Sequence, residues 1–488
     1  MNTLQIKNPY SGELLGELQY ATPEETRRVV ATSVTAFQKW RHSSAWERSE
    51  LLLHAARQLE VEKEDFAQLI RQEAGKPISA ARGEVDRAIG VLRWGSGEAQ
   101  RFAGELLRLD ASATGRPGFG INTRFPRGVI LGITPYNFPL NLAMHKVAPA
   151  VACGCSIIVK PSSSTPLTAL KLARLFESSV PGLVQVLLTN DASTSELTRL
   201  PEIAMISFTG STAIGWKIRQ QAPEKPTALE LGGNAWVLVM EDTPASAYPA
   251  IARKIANAAF GYAGQSCISV QNVGVASAIR EEFSSHLKTA TEATPYGDPS
   301  SSSVISGPLI HRKAAVRVQT QIQKAIGGGA EVICAKKQEG NCAPLSQADA
   351  ETETSSNSSL VVPSLVVLNS NAKNRSKQGN LASSLVQDEV FGPVMTISEF
   401  ADIPEIIKNI NASRYGLQAG IFTQNWPAIE RFYRELEVGG VVINDVPTTR
   451  YDHQPYGGVK DSGQGREGLR YAMEEMTESK FLALSGRV

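Results

Sequence analysis

Apolar and polar residues recur with two different periods along this chain, and the period changes near residue 109. From residue 22 to about 108, apolar side chains are spaced as on helices, with charged residues between them. Thr22–Glu25 (Thr-Pro-Glu-Glu) and Ser44–Glu47 (Ser-Ala-Trp-Glu) are typical helix starts, because each places a hydroxyl three residues before a glutamate. The region is therefore predicted to be helical.

A different pattern follows. Between Leu109 and Arg127, glycine, proline and alternating residues predict a hairpin or an extended arm. Beyond it, short apolar runs alternate with helical segments, which predicts an α/β fold with two doubly wound, Rossmann-like domains of parallel strands. The predicted strands are Val129–Thr134, Ser156–Val159, Val184–Leu188, Ala204–Phe208, Trp236–Met240, Val273–Ala276, Leu360–Val367, Met395–Phe400, Gly420–Phe422 and Val441–Asn444.

Two segments depart from this alternation. Residues 334–384 are rich in serine, asparagine, threonine and charge around the strand-like run Leu360–Val367. Their flanks are predicted to be mobile surface loops, with a functional linker as the alternative. Residues Phe481–Val488 are short and apolar enough to pair with a neighbouring subunit.

Composition narrows the class of protein. The 488 residues carry a formal net charge of +1, which gives no electrostatic footprint for nucleic acid or for an anionic membrane. Neither a transmembrane run nor a secretory signal is visible. Five cysteines form an odd, sparse set that favours a reducing cytoplasm over a disulfide framework. The histidines lack ligand-pair spacing, so no metal site is predicted.

Three residues suggest covalent chemistry. Cys267 lies in Gly-Gln-Ser-Cys-Ile-Ser, and Glu230 lies in Leu-Glu-Leu-Gly-Gly-Asn. A thiolate can attack a carbonyl and a carboxylate can then activate water. Asn137, between prolines in Pro-Tyr-Asn-Phe-Pro, can donate a hydrogen bond to an oxyanion. Taken singly, each has a structural alternative: an inert buried cysteine, an ordinary carboxylate, or a helix-capping turn.

Other segments suggest a bound dinucleotide. Lys160 ends a predicted strand, where doubly wound sheets bind ligands. Phe-Thr-Gly-Ser, ending at Ser211, leads into a helix whose amides suit a pyrophosphate. Glu389 in Glu-Val-Phe-Gly-Pro can reach a ribose. The pattern G-x-G-x-x-G occurs at Gly463–Gly468, but no buried strand precedes it and too few residues follow for a βαβ unit, so we discount it.

In this order, these motifs resemble the aldehyde dehydrogenase superfamily, as does Pro-Tyr-Gly-Gly-Val-Lys-Asp-Ser-Gly at 455–463. The resemblance spans nearly the whole chain. It implies a homodimer or homotetramer of three-part subunits. The implied parts are a cofactor domain (1–108 and 128–232), an oligomerisation arm and tail (109–127 and 470–488), and a catalytic domain (233–469) with a variable polar insertion at about 334–384.

The resemblance also implies a reaction. Cys267 would attack an aldehyde to form a thiohemiacetal, whose oxyanion is held by the Asn137 side chain and the Cys267 N–H. Hydride transfer to a nicotinamide would leave a thioester, and Glu230 would activate the water that releases the acid. Lys146 matches a position that family members use near the proton path.

The implied cofactor is NADP or NAD. Family members that prefer NAD usually carry a glutamate where this chain has Ser163, and that glutamate would repel a 2′-phosphate. Its replacement makes NADP acceptable. Lys160 would contact the adenine ribose and Glu389 the nicotinamide ribose. The implied cofactor residues are Thr134, Lys160, Ser163, Gly210, Ser211, Gly215, Glu389 and Phe391.

The predicted substrate is a small hydrophilic aldehyde. Ser266 stands where relatives that bind phosphorylated aldehydes often carry arginine, which argues against a strongly anionic substrate. Arg450-Tyr451-Asp452-His453 resembles loops of members that act on lactaldehyde, glyceraldehyde derivatives and small semialdehydes. Alternatively, Arg450 pairs with Asp452 or with a neighbouring chain. The candidate substrate residues are Tyr136, Ser266, Ile268, Arg450 and His453.

Three other functions remain open at this stage. Members that transfer the acyl group to coenzyme A commonly lack the glutamate found here at Glu230. A non-catalytic binding descendant would have little use for Cys267, Glu230 and Asn137 together. A cysteine hydrolase without redox chemistry would need a histidine base beside the thiol.

Overall fold

The computed structural model describes residues 3–336, 359–368 and 383–485. The flanks of the polar insertion at 334–384 lie outside these ranges at 337–358 and 369–382, so their nature as surface loops stays a prediction. Within the described ranges, every helix is too short or too polar to cross a membrane.

After two short strands the chain forms four consecutive helices, and strands and helices intermix from residue 105 onward. The strands are β1 Thr3–Lys7, β2 Leu14–Gln19, β3 Glu105–Arg108, β4 Gly118–Pro126, β5 Val129–Ile133, β6 Ser156–Lys160, β7 Val184–Val186, β8 Ile203–Thr209, β9 Thr227–Glu230, β10 Ala235–Val239, β11 Val270–Ala276, β12 Glu331–Cys334, β13 Ser364–Val367, β14 Val394–Phe400, β15 Tyr415–Gly416, β16 Gln418–Phe422, β17 Gly440–Ile443, β18 Val459–Lys460, β19 Gly463–Gln464 and β20 Thr477–Ser485. The α-helices are α1 Pro23–Trp40, α2 Ala45–Val61, α3 Lys63–Ala74, α4 Ile78–Arg101, α5 Asn141–Cys153, α6 Pro166–Arg174, α7 Asp191–Arg199, α8 Thr212–Gln221, α9 Tyr248–Phe260, α10 Arg280–Glu292, α11 Arg312–Gly327, α12 Ser383–Gln387, α13 Ile403–Asn411, α14 Trp426–Glu435 and α15 Leu469–Glu475.

The first two helices begin where the sequence predicts. Thr22 accepts a hydrogen bond from the Glu25 N–H, and the Glu25 carboxylate accepts one from the Thr22 N–H. Ser44 and Glu47 form the same reciprocal pair at the start of α2. Both capping boxes satisfy N–H groups that the first helical turn leaves without partners.

Two sheets organise the described part of the chain. One has six strands in the order β19-β9-β8-β5-β6-β7, all parallel except β19. The other has seven strands in the order β12-β13-β14-β11-β10-β16-β17, all parallel except β12. Their inner strands are buried, as strands with both faces covered must be. The predicted pair of doubly wound sheets is confirmed.

A separate antiparallel sheet contains β3, β4 and β20. The predicted hairpin is present, and β20 pairs with β4 of its own chain, from Thr477 opposite Pro126 to Ser485 opposite Gly118. This nine-residue register satisfies the backbone groups on one side of β20. Because β20 lies at the edge of the sheet, pairing of Phe481 and the residues after it with a neighbouring subunit stays a prediction.

A buried ion pair fixes the start of α5, which carries Lys146 and follows Asn137. The Glu84 carboxylate, from α4, accepts hydrogen bonds from the backbone N–H groups of Leu140 (2.9 Å) and Asn141 (3.1 Å). It also pairs with Lys76, and both side chains are fully buried. The Lys76 ammonium lies 3.6 Å from the centre of the Phe138 ring. One carboxylate thus satisfies a helix start and a buried cation together.

Replacing Glu84 with alanine is expected to lower the free energy of unfolding by about 3–5 kcal/mol, because it leaves the Lys76 ammonium buried without a counter-charge. Urea unfolding followed by tryptophan fluorescence measures the change. Glu64→Ala is the matched control, since it removes an exposed pair with Arg82 and an exposed hydrogen bond from Gln68 and should leave the midpoint nearly unchanged. Equal midpoints for the two variants would contradict the role given to Glu84.

Candidate active site

A strained turn precedes Cys267. Tyr262, Ala263 and Gly264 all have positive φ angles, 50°, 54° and 66°. At Gly264 a Cβ atom would lie 2.2 Å from the carbonyl oxygen of Gly392, so only glycine fits. The two non-glycine residues each carry a conformational cost of order 1–2 kcal/mol, which the surrounding contacts must offset.

Gln265 supplies such contacts and links the turn to Asn137. Its side chain accepts a hydrogen bond from the Ile310 N–H at 2.9 Å and donates to the Pro308 carbonyl at 3.2 Å. Its carbonyl accepts from the Asn137 Nδ2 at 2.9 Å. Because an amide nitrogen has two hydrogens, Asn137 retains a second one. The predicted oxyanion donor is therefore held beside the nucleophile loop.

The Cys267 thiol is half-buried and lies 3.3 Å from the hydroxyl of Tyr456. Burial raises the pKa of Cys267 to about 12, and the hydrogen bond from Tyr456 acts in the opposite direction. The guanidinium of Arg450 lies over the Tyr456 ring, 3.7 Å from its centre. A cation on the ring face withdraws electron density and makes the phenol a better donor to sulfur.

Glu230 ends β9 beside this thiol. Both of its carboxylate oxygens are buried and have no hydrogen-bond partner within the described residues. Burial, followed by the charge of Glu467, raises the pKa of Glu230 well above its usual range. The charge of Glu230 in turn contributes to the raised pKa of Cys267, so the two predicted catalytic groups lie within electrostatic reach of each other.

Lys146 is held by a second buried carboxylate. Its ammonium donates to Ser207 at 3.0 Å and to Glu467 at 2.8 Å, and Glu467 also accepts from Thr209 at 3.2 Å. Arg450 approaches the other Glu467 oxygen at 3.3 Å. Burial alone raises the pKa of Glu467, but the charges of Lys146 and Arg450 outweigh it and lower the pKa to about 2. Glu467 is therefore ionised.

A cavity of about 460 Å³ opens onto the thiol. Among the predicted residues, Asn137, Ser266, Ile268 and Arg450 line its wall. Sequence reasoning did not single out several other lining residues. Those with polar side chains that bear on the site are Arg87, Asn141, Asn257, Thr448 and Tyr456.

Two of the predicted substrate residues lie outside the lining of this cavity. Tyr136 does not line the cavity and instead contacts Phe391 edge to face, with ring centres 6.1 Å apart. His453 is exposed and stacks on Trp94 at 4.6 Å. The alternative pairing of Arg450 with Asp452 is wrong, since Arg450 pairs with Glu467.

Asp452 binds Arg87 and His145 instead. Its carboxylate accepts from two nitrogens of the Arg87 guanidinium, at 2.5 and 3.3 Å, and contacts the His145 Nε2 at 3.0 Å. The pairing joins α4 to a loop 365 residues later.

Glu467 lies in the G-x-G-x-x-G pattern at Gly463–Gly468, which we discounted as a cofactor motif. Its position among glycines was the only sign in the sequence of a functional role.

One group of predicted cofactor residues lies at the carboxyl ends of β5 and β6. The Thr134 N–H donates to the Lys160 carbonyl at 3.0 Å, while the buried Thr134 hydroxyl has no partner in the described chain. Burial lowers the pKa of Lys160, and the nearby charge of Asp191 opposes this. The Ser163 hydroxyl accepts from Tyr20 at 3.3 Å.

The turn before α8 forms a second group. The Gly210 N–H donates to the carbonyl of Glu230 at 3.0 Å, which ties this turn to the catalytic strand. Ser211 occupies the N-cap position without a side-chain capping bond, so its helix keeps free amides for an anion. A Cβ at Gly215 would lie 2.3 Å from the Leu231 side chain, so glycine allows α8 to pack closely.

Glu389 and Phe391 form the third group. Glu389 accepts from the Gly233 N–H at 2.9 Å, and burial raises its pKa to about 7. Phe391 has a φ of 47° and faces Tyr136. The three groups supply helix amides for phosphate, the half-buried ammonium of Lys160, a buried hydroxyl and a carboxylate for ribose, which are the donors and acceptors that a dinucleotide requires. The three groups therefore fit such a cofactor.

Changing Tyr456 to phenylalanine is expected to slow alkylation of Cys267 by iodoacetamide about twofold to tenfold, because the thiolate loses a hydrogen bond. In both proteins the rate should rise about tenfold per pH unit between pH 7 and 10, since the pKa of about 12 keeps the thiolate scarce. Peptide mass spectrometry separates Cys267 from the exposed Cys334, whose rate serves as the internal control. Equal Cys267 rates would contradict the role of Tyr456.

The sequence matches the aldehyde dehydrogenase family over residues 1–351 and 377–482. It is 35% identical over 486 residues to the 3-sulfolactaldehyde dehydrogenase of Priestia aryabhattai, covering 99% of this chain and 95% of that protein.

Solved structures of aldehyde dehydrogenases are similar to the structure of this chain. Aldehyde dehydrogenase 21 from Physcomitrella patens, in complex with the reaction product succinate, has a TM-score of 0.89 at 32% identity, covering 99% of this chain and 95% of that one. A glyceraldehyde-3-phosphate dehydrogenase from Methanocaldococcus jannaschii, complexed with NADP, has a TM-score of 0.87 at 32% identity and covers 99% of each chain. Sequence and structure together show that the chain belongs to the aldehyde dehydrogenase family.

Proposed function

We propose that this enzyme oxidises a small hydrophilic aldehyde to its carboxylic acid with NADP or NAD, through a thiohemiacetal and a thioester on Cys267. The observation that carries the proposal is that Cys267 and Asn137 line one cavity, while Glu230 lies within electrostatic reach of the Cys267 thiol. These residues supply a nucleophile, an oxyanion donor and a base, which are the groups that the reaction needs.

Each residue has a defined task in this reaction. Cys267 reacts as its thiolate, after the thiol has lost its proton. The sulfur forms a bond to the aldehyde carbon as the carbonyl π bond breaks, and the free Nδ2 hydrogen of Asn137 and the Cys267 N–H stabilise the oxygen that becomes negative. Bound NADP or NAD supplies the acceptor for the hydride that leaves this carbon. Glu230 then removes a proton from the water that attacks the thioester, and the C–S bond breaks to release the acid and the Cys267 thiolate. Its burial, which raises its pKa, also makes its ionised form a stronger base.

Lys146 takes part indirectly. Its ammonium contacts Glu467 rather than Glu230, yet its charge acts to lower the pKa of Glu230. The resemblance implied that Lys146 lies near the proton path. Its role there is electrostatic, because its positive charge helps Glu230 to release its proton.

The substrate class is supported by the cavity wall and by the relatives. Asn137, Asn141 and Ser266 give the wall polar groups among apolar ones such as Ile268 and Leu142. A similar protein is named for 3-sulfolactaldehyde, a short hydrophilic aldehyde.

We also propose that the enzyme is a homodimer or homotetramer. The arm exposes large apolar side chains that a second subunit would cover. These are Leu106, Leu107, Phe119, Phe481, Leu482 and Leu484.

The alternatives have less support. Acyl transfer to coenzyme A leaves the buried base Glu230 without a task. A cysteine hydrolase needs a histidine beside Cys267, and no histidine lines the described cavity. A non-catalytic role leaves unexplained why Asn137 is tied to the nucleophile loop.

Replacing Cys267 with alanine is expected to abolish aldehyde oxidation, lowering kcat at least about a thousandfold, because no thiohemiacetal can form. Absorbance of reduced cofactor at 340 nm, recorded across an aldehyde panel, measures it. Cys334→Ala should retain wild-type rates, since Cys334 is exposed and lies outside the cavity. Retained dehydrogenase activity in the Cys267 variant would refute the mechanism.

NADP is expected to support a kcat/KM at least equal to that with NAD, because Ser163 offers a hydroxyl where a carboxylate would repel the 2′-phosphate. Steady-state kinetics with both cofactors test this. Ser163→Glu should reduce kcat/KM for NADP about tenfold or more and affect NAD less. A wild-type preference for NAD of more than tenfold would contradict the prediction.

Glu230→Gln is expected to retain a burst of reduced cofactor while slowing steady-state turnover about 100-fold or more, because the thioester forms but is not hydrolysed. Stopped-flow absorbance resolves the burst from the later phase. The wild-type rate should not change when coenzyme A is added. A large stimulation by coenzyme A, with acyl-coenzyme A as the product, would favour the acyl-transfer alternative.

A further inference from the structure

Several polar atoms at the cavity have no protein partner. In the described structure, Nδ2 and Oδ1 of Asn141 and Nε of Arg450 are all buried without a hydrogen bond. Both residues line the cavity that reaches Cys267. Each such group costs roughly 1–3 kcal/mol when left unsatisfied. Their common position therefore points to a ligand that supplies the missing partners.

Two guanidinium groups line the same cavity, and their counter-charges lie behind them. Asp452 accepts from Nε and Nη2 of Arg87, and Glu467 contacts Nη2 of Arg450. Neither carboxylate is among the lining residues, whereas both arginines are. Asp452 also raises the pKa of Arg450, so the two arginine sites are close in space. The carboxylates orient the guanidinium groups and leave their remaining N–H groups to the cavity.

The fixed charges here do not cancel. Arg87, Arg450 and Lys146 carry three positive charges, whereas Asp452 and Glu467 carry two negative ones, because their neighbours lower the pKa of each carboxyl group despite burial. Among these five side chains the cations outnumber the anions by one, so an anionic ligand would balance their charge.

Burial favours the neutral form of three other titratable groups near this region. It raises the pKa of Glu230 well above its usual range. Burial, then the charge of Arg450, lowers the pKa of His145 to about 4, so this imidazole is neutral as well. The thiol of Cys267 is neutral because of its raised pKa.

We propose that the aldehyde carries one anionic group, a carboxylate or a sulfonate, which Arg87 and Arg450 bind while Asn141 hydrogen-bonds the substrate between this group and the reacting carbonyl. The inference rests on the proposed aldehyde oxidation and names the substrate class of that same cavity. An anionic substrate replaces the expectation drawn from Ser266, which argued against a strongly anionic aldehyde. Arg87, on a distant helix, supplies the positive charge that is missing at position 266.

The first test compares aldehydes that differ in charge. With saturating NADP, kcat/KM should be at least about tenfold higher for 4-oxobutanoate or sulfoacetaldehyde than for butanal. Arg87→Met should reduce this ratio about 10- to 100-fold, the equivalent of one or two charge-assisted hydrogen bonds. Arg93→Met, on the same helix but paired only with exposed Glu60, should keep the ratio. An unchanged ratio in Arg87→Met would overturn the proposal.

The second test measures binding without turnover. Calorimetry on Cys267→Ser should detect butyrate or propane-1-sulfonate binding at least about tenfold more tightly than butanamide, and Arg87→Lys should recover part of the affinity that Arg87→Met loses. Comparing butyrate with propane-1-sulfonate shows which oxyacid the site prefers. Butanamide binding as tightly as the anions would refute the anionic subsite.

The two experiments together separate the two claims. If neutral aldehydes are oxidised best and neither anion binds, the anionic subsite is wrong and the aldehyde oxidation stands. If the anions bind but no aldehyde of either charge is oxidised, the proposed reaction itself is wrong.

Discussion

The Glu467 carboxylate holds together the parts of the chain on which the site depends. It accepts hydrogen bonds from Lys146 in α5 and from Thr209 at the end of β8, and it pairs with Arg450 in the loop before β18. These elements lie far apart in sequence and approach the cavity from different sides. Because the carboxylate is buried, each contact is made in a medium of low dielectric constant, where it is strong and where its loss would be costly.

This carboxylate also sets the state of its neighbour. Glu467 and Glu230 occupy the same buried region, and the charge of Glu467 is second only to burial in raising the pKa of Glu230. Two nearby carboxyl groups in such a region separate in pKa, and here the pKa of Glu467 falls while that of Glu230 rises. Lys146 and Arg450 both contact Glu467 directly, so Glu467 is the carboxyl group whose pKa is lowered. Glu467 is therefore the structural anion, and Glu230 is left as the base.

Local patterns in the sequence predicted much of the architecture. The Thr22 and Ser44 capping boxes and the apolar strands depend on neighbours within a few residues, so their spacing could be read directly. The motifs around Cys267, Glu230 and Asn137 depended on the resemblance, since each was ambiguous alone. Arg87 could not be predicted, because it acquires its role from Asp452 through tertiary folding. The same holds for β20, whose partner strand only the fold reveals.

The left-handed turn before Cys267 has a consequence for how the enzyme becomes active. Tyr262 and Ala263 keep their unfavourable φ angles only while outside contacts hold them: the Tyr262 hydroxyl donates to the Ala74 carbonyl, and its N–H donates to Ile305. Ala74 ends α3, in the half of the chain that contains the six-stranded sheet. The nucleophile is therefore positioned only after the two halves have docked, and a chain that is still assembling carries a cysteine without its oxyanion donor or its tyrosine. The geometry of the nucleophile thus depends on contacts between the two halves of the chain.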